Sequence, residues 1–353
     1  MSCCKGWLVG GAVVLFCLVW LGWSGCDKRP TRPEPPPPQP KDYPVYFCNQ
    51  ANSTLWIFHP LSRKLDSMVT PYDGVMRGVT VSADGQLLYF SQADRVLVVD
   101  SDSLGLVAEL PYEAWWGTAV SPDNNLLAIM GHGISILRTQ DWSVVFADTI
   151  DVYRGVFSRD SRTFYACSAE GWDYFNSLCW VEPLDDNPVL QHKEFYNHVT
   201  QVRPTPDGSK LLLNLLWHFV VYDIAGDTIL TDIELWPGQG NLEITPDGKY
   251  AFFSNPSTML GERGTTDLYV FDVLVNSVVD TLDLDVLGDS ISLFIFGIGE
   301  MAVTPDGRWL AAHDSPSGTD LFLYDLSLPE AVFHHDFGSN HCFLGISTVK
   351  QEW

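Results

Sequence analysis

Positive charge is scarce in this sequence. Across 353 residues, 20 Lys and Arg stand against 44 Asp and Glu, a formal net charge of −24. Such a field repels phosphate backbones and anionic headgroups, and no local run of basic residues offsets it, so nucleic acid is excluded as a partner. Reactive signatures are missing as well. The chain has no Gly-x-Ser-x-Gly nucleophile elbow, no Walker loop, no dinucleotide-binding glycine fingerprint and no Cys-x-x-Cys-His haem site. No cofactor and no metal are expected, and a haem- or quinone-bearing electron carrier falls well behind other readings. His334, His335 and His341 cluster near the end, but without the spacing of a metal site they read as loop residues.

Long apolar runs are confined to one place, Trp7 to Trp23, with Lys5 as the sole charge before it and Ser24-Gly25-Cys26 after it. This is the layout of a targeting segment rather than of a folded element. The run is near the minimum length of a spanning helix, so an uncleaved anchor is the alternative to cleavage. The segment resembles a bacterial lipoprotein signal, which implies removal of 1–25 and acylation of Cys26. Asp27 resembles the residue that retains lipoproteins in some inner membranes. The implied location is the cell envelope, lipid-anchored and facing the periplasm or the exterior. Two acyl chains would make that anchoring stable where one would not.

Residues 26–44 are polar and dense in proline, including Pro35 to Pro38, and form an extended polyproline spacer without a core. With Cys3, Cys4 and Cys17 in the signal, the cysteines left for the body are Cys48, Cys167, Cys179 and Cys342. Cys167 and Cys179 fall in the second and third strands of one unit. They could cross-link if the register brings them opposite, and are core thiols otherwise. Cys48 and Cys342 could lock the two ends of the body together.

The body, 45–353, repeats. An apolar strand, Ser or Thr, one residue (usually Pro or Ala), Asp, a turn residue that is most often Gly, and a second apolar strand recur as VTVSADGQLLYF, TAVSPDNNLLAI, GVFSRDSRTFYA, VRPTPDGSKLLL, LEITPDGKYAFF and MAVTPDGRWLAA. The turn aspartates Asp84, Asp123, Asp160, Asp207, Asp247 and Asp306 lie 39, 37, 47, 40 and 59 residues apart. Periods near 40 mean stacked supersecondary units. Asp-Gly supplies the left-handed backbone and the amide-capping carboxylate of a tight reversal. A third and a fourth strand follow each hairpin, so each unit is a four-stranded antiparallel blade. Insertions at 169–177, 256–266 and 285–296 stretch the longer periods.

The ends complete the count. Residues 45–70 hold strands two to four of a blade without a first, and FLGISTVK (343–350) is a first strand with nothing after it. Pairing them closes a seventh blade and leaves no open sheet edge. The expected fold is therefore an all-β, seven-bladed propeller closed by its N- and C-terminal strands. These repeats resemble the YVTN type of seven-bladed propeller, the surface-layer and lactonase-like group, over essentially 43–353.

In a propeller the loops entering the innermost strands form the mouth of the central channel. Aligning on the turn aspartates places Gly78, Gly117, Arg154, Gln201, Asn241, Glu300 and Gly345 there, preceded by Arg77, Trp116, Tyr153, Thr200, Gly240, Gly299 and Leu344. The ligand-binding candidates are Arg77, Trp116, Tyr153, Arg154, His198, Gln201, Asn241 and Glu300, a mixed set suited to a small polar or anionic ligand. Arg154 and Glu300 could instead simply neutralise each other. No catalytic residue is assigned. The reading is a noncatalytic, monomeric propeller held at the membrane by the lipid on Cys26 and binding a protein, peptide or glycan. The alternative implied by the resemblance is a lactonase-like hydrolase with its site at the channel mouth.

Overall fold

Every described element is a β-strand, as the alternating apolar pattern requires. The computed structural model describes residues 41–49, 53–168, 177–235, 241–256, 266–283, 298–314, 320–327, 331–336 and 343–348. The signal, Cys26, residues 26–40 of the spacer, the bulk of the three insertions, His341 and Cys342 lie outside them. The body begins at Asp42.

The 28 strands form seven four-stranded antiparallel sheets. The closing blade is β28(Phe343–Thr348), β1(Val45–Asn49), β2(Thr54–His59) and β3(Lys64–Val69). Its register runs from Val45 opposite Thr348 to Asn49 opposite Phe343, with one irregularity between Phe47 and Cys48. Both chain ends thus build one sheet, as expected from the incomplete first unit. The other blades are consecutive meanders, and their inner strands are β4(Gly78–Val81), β8(Gly117–Val120), β12(Val152–Phe157), β16(Val199–Pro204), β20(Leu242–Ile244) and β24(Ile298–Val303).

Seven hydrophobic clusters hold the ring, one between each pair of neighbouring blades. The one that closes it packs Val45, Phe47 and Phe58 of β1 and β2 against Ala302, Ala311, Leu321 and Leu323 of the last blade. Outer strands are largely exposed, as in the pattern of β7(Leu106–Leu110), so each blade is stabilised mainly through its inner three strands.

All six repeat turns are built alike. The Ser or Thr hydroxyl donates to the Asp Oδ1 at 2.6–2.7 Å, in Ser82–Asp84, Ser121–Asp123, Ser158–Asp160, Thr205–Asp207, Thr245–Asp247 and Thr304–Asp306. That carboxylate accepts an amide two residues on, and the hydroxyl accepts one five residues on, for example from Lys210 to Thr205 at 3.0 Å. The residue after each Asp has positive φ, from 59° at Asn124 to 77° at Gly85. Glycine is needed there most at Gly248, where a Cβ would lie 2.5 Å from Pro206 Cδ of the previous blade. Where the position is not glycine, its side chain reaches back across the same seam. Ala83 N–H donates to Asn124 Oδ1 at 2.6 Å, and Asp123 N–H donates to Ser161 Oγ at 3.1 Å. The turns therefore join blades as well as strands.

These turns give stability a pH dependence. The Ser158 and Thr205 hydroxyls hold the Asp160 and Asp207 carboxyls below the ordinary carboxylate value. Burial raises that of Asp123, but donations from Ser121, Asn125 and Ser161 outweigh it. A carboxyl depressed in the folded state contributes stability that is complete above its unfolded value of about 3.9 and is lost as pH falls through the folded value. Thermal unfolding is expected to show Tm falling below about pH 4, with a shallower acid slope in Asp160→Asn/Asp207→Asn; parallel slopes would remove the turns from the account.

The cysteine register answers the open pairing. In β13(Phe164–Ser168) and β14(Ser177–Val181), Cys167 lies opposite Leu178 and Cys179 opposite Ala166. Neighbours along a strand point to opposite faces, so the two side chains leave the sheet on opposite sides and both are buried thiols. The disulfide between them is ruled out by register. Burial pushes the Cys167 thiol up to about 12.

Candidate functional site

The inner strands surround a cavity of about 310 Å³ on the propeller axis. Among the sequence candidates, Arg77, Trp116, Arg154, Gln201 and Asn241 line it, with Gly78 and Gly117. Arg154 Nη1 donates to Asn241 Oδ1 at 2.5 Å, linking the fourth blade to the sixth. Leu242 N–H donates to Gln201 Oε1 at 2.6 Å, and Asn241 N–H to Ser254 Oγ at 3.0 Å. Glu300 lies on β24, but its side chain is outside the described set, as are those of β28.

Two candidates do not belong to the wall. Tyr153 sits at an irregularity between Val152 and Arg154, where the extra residue turns its ring away from the axis. The ring packs into the cluster between the fourth and fifth blades, and its hydroxyl donates to Val199 O at 2.5 Å. Desolvation there raises the phenol well above its ordinary value. His198 precedes β16 in the crossing loop, where its carbonyl accepts from Leu216 N–H at 2.9 Å, so the chain at that point is still tied to the second-to-third hairpin of the blade.

Arg203, Glu243, Arg159 and Ser91 also line the wall, beyond the entry residue of each inner strand and its predecessor at which the sequence reading stopped. Period-two alternation continues the inward face from Gln201 to Arg203 and from Asn241 to Glu243. Arg203 Nε and Nη2 both donate to Glu243 Oε2 at 3.2 Å, an ion pair between neighbouring inner strands. Arg159 lines the far end, and Ser91, on β5(Leu87–Ser91) opposite Gly78, lines the wall behind it.

Antiparallel alternation brings the fourth-to-first crossings and the second-to-third hairpins of every blade to the mouth face, and the repeat turns to the opposite face. The mouth face is aromatic. Trp115, Trp116, Tyr196 and Trp217 are the exposed aromatic side chains among the described residues, and all four lie in its loops. The Arg77 guanidinium stacks on the Trp115 ring at 4.6 Å, and His132 lies 6.1 Å from it. Tyr196 meets the His218 ring edge-on at 5.1 Å and donates to Asp232 Oδ2 at 2.7 Å, while Asp232 Oδ1 lies 2.7 Å from His218 Nδ1. Burial and that hydrogen bond raise the Tyr196 phenol. The Asp100 loop is a third-to-fourth strand reversal, with Asp100 Oδ1 accepting from Ser103 N–H and Oγ–H at 2.7 Å.

No protein-family profile matches the chain, and no curated protein matches it in sequence. Solved structures do match. Hydrazine synthase of Kuenenia stuttgartiensis shares 20% identity at a TM-score of 0.58, covering 71% of this chain and 77% of that one. The β-propeller domain of Cps50 (Swd1) from Myceliophteria thermophila shares 13% at 0.62, covering 76% and 88%. Dihydro-heme d1 dehydrogenase NirN, solved in complex with DHE, shares 16% at 0.58, covering 87% and 75%. The likeness is one of fold. A single propeller architecture carries unrelated chemistries, so what this chain does has to be argued from its own site.

Proposed function

We propose that this chain is a noncatalytic binding propeller of the YVTN type, displayed at a bacterial cell envelope by a lipid on Cys26 and the 26–44 spacer, and that it takes a protein, peptide or glycan on its mouth face. The gathering of Trp115, Trp116, Tyr196 and Trp217 on that face is the observation that carries the reading. Exposed Trp and Tyr offer large, rigid contact area at little entropic cost and are enriched where partners bind. The face also bears donors and acceptors, including His132, His218 and Asp232, that would orient a polar partner.

The test is co-sedimentation of the purified protein with envelope polysaccharide and with envelope protein fractions. Wild type is expected to bind one of these, and Tyr196→Ala/Trp217→Ala to bind at least tenfold more weakly at unchanged Tm. In the producing cell, Cys26→Ser should move the protein from membrane to soluble fractions. Binding that survives loss of the aromatic pair would remove the mouth face, and membrane retention of Cys26→Ser would remove the lipid anchor.

A further inference from the structure

The chain's net charge is −24, yet among the described residues its channel wall sets Arg77, Arg154 and Arg203 beside the carboxylate of Glu243. A local excess of cation inside a strongly anionic protein is unfavourable to leave uncompensated in a narrow, partly desolvated space. Glu243 is already committed, with Oε2 to Arg203 and Oε1 accepting from Ile244 N–H at 3.2 Å. Among the described residues, neither Arg77 nor Arg154 has a carboxylate within ion-pair range. Arg154 meets the neutral Asn241 carbonyl, and Arg77 meets the Trp115 ring.

Two further donors stand beside them without acceptors. Arg77 Nε is buried with no hydrogen-bond partner, and so is Ser91 Oγ, on a residue with no exposed surface. Arg77 N–H donates to Ser91 O at 2.7 Å, which holds the two residues together at the wall. Gln201 spends its carbonyl on Leu242 N–H, leaving its amide NH₂ as a donor at the same wall. A buried hydrogen-bonding group left unsatisfied forfeits its hydration with nothing in return, so such a set points to something that fills it. An oxyanion would answer both the unmet donors and the cation excess among the described residues.

We propose that the mouth half of the channel binds a small oxyanion, a carboxylate or phosphate, through Arg77, Arg154, the Ser91 hydroxyl and the Gln201 amide. Paired guanidinium forks match the divergent lone pairs of such groups, and charge-assisted bonds in a confined site are the strong ones. The oxyanion arrives either as the free ion or as the charged end of a ligand whose body rests on the aromatic mouth. This goes beyond the mouth-face reading and stands without it.

The experiment titrates the purified protein, in chloride buffer at constant ionic strength, with inorganic phosphate, glucuronate, glucose 1-phosphate and glucose. Calorimetry and thermal shift read the binding. At least one oxyanion is expected to bind at one site per chain and to raise Tm, while glucose does neither. Arg77→Gln and Arg154→Gln should each weaken binding at least tenfold, and their ligand-free Tm should equal or exceed that of wild type, because a charge with no carboxylate partner among the described residues has gone. Gly78→Ala keeps every charge and adds a methyl 4.0 Å from Ser91 Oγ, and it should weaken binding with the fold intact. Tighter binding of the sugar-borne groups than of phosphate identifies an oxyanion carried on a ligand; equal or weaker binding identifies the free ion. Tyr196→Ala/Trp217→Ala, which lies off the wall, should bind phosphate like wild type, so the two proposals fail separately. No oxyanion binding up to millimolar concentration, or full binding retained in both arginine variants, overturns the site.

Discussion

Truncation after residue 342 is expected to abolish the soluble, cooperatively unfolding monomer. The segment lost is β28, whose only sheet partner is β1, and its loss opens a row of N–H and C=O groups from Val45 to Asn49. In the intact ring those groups are paired, and Val45, Phe47 and Cys48 are buried. An unpaired apolar edge templates association with other chains. The combined cost is expected to be on the order of the whole 5–15 kcal/mol by which domains are ordinarily stable. Gel filtration should show aggregates, and the thermal transition should disappear. The peptide FLGISTVK added in trans should recover monomer, and a scrambled peptide should not. A truncated chain that remains a monomer with wild-type Tm would mean that the ring does not depend on this closure.

Phe219→Ala is expected to produce the largest loss among single substitutions in the core. Phe219, on β18(His218–Asp223), stacks on Phe253 of the next blade at a centroid distance of 4.2 Å and 9° between planes, and meets Phe271 edge-on at 4.8 Å. All three are fully buried. Truncation removes the ring from a seam that two rigid sheets cannot collapse, so the cavity term adds to the lost transfer energy. About 3–5 kcal/mol is expected, which for a body of this size lowers Tm by roughly 5–8 °C. Phe219→Leu should recover part of the loss, and Val279→Ala on an exposed outer strand should stay within about 0.5 kcal/mol. A loss at Phe219 no larger than at Val279 would show that this seam does not limit stability.

The mouth could be read from the sequence because the repeat turn is a local device. Once Asp84, Asp123, Asp160, Asp207, Asp247 and Asp306 are aligned, counting back along each inner strand reaches its entry residue and the one before it. For Arg77, Trp116, Arg154, Gln201 and Asn241 that count ends at the wall. For Tyr153 it fails, because a bulge inserts one residue and turns the ring into the neighbouring seam, and nothing in the local pattern marks the bulge. Arg203 and Glu243 were within reach of the same counting carried one step deeper.

The sequence by itself determined the seven blades, their closure by the two chain ends, and the chemistry of the turns, since these rest on period-two alternation and on Ser/Thr-x-Asp contacts within a few residues. Only the tertiary structure decided which side of a strand meets which neighbour: Cys167 and Cys179 on opposite faces, Asn124 and Ser161 bridging blades, four aromatics on one face, and Arg77 and Ser91 left with donors and no acceptor at the channel. These depend on register and on the packing of blades distant in the chain, where a shift of one residue exchanges the two faces of a strand.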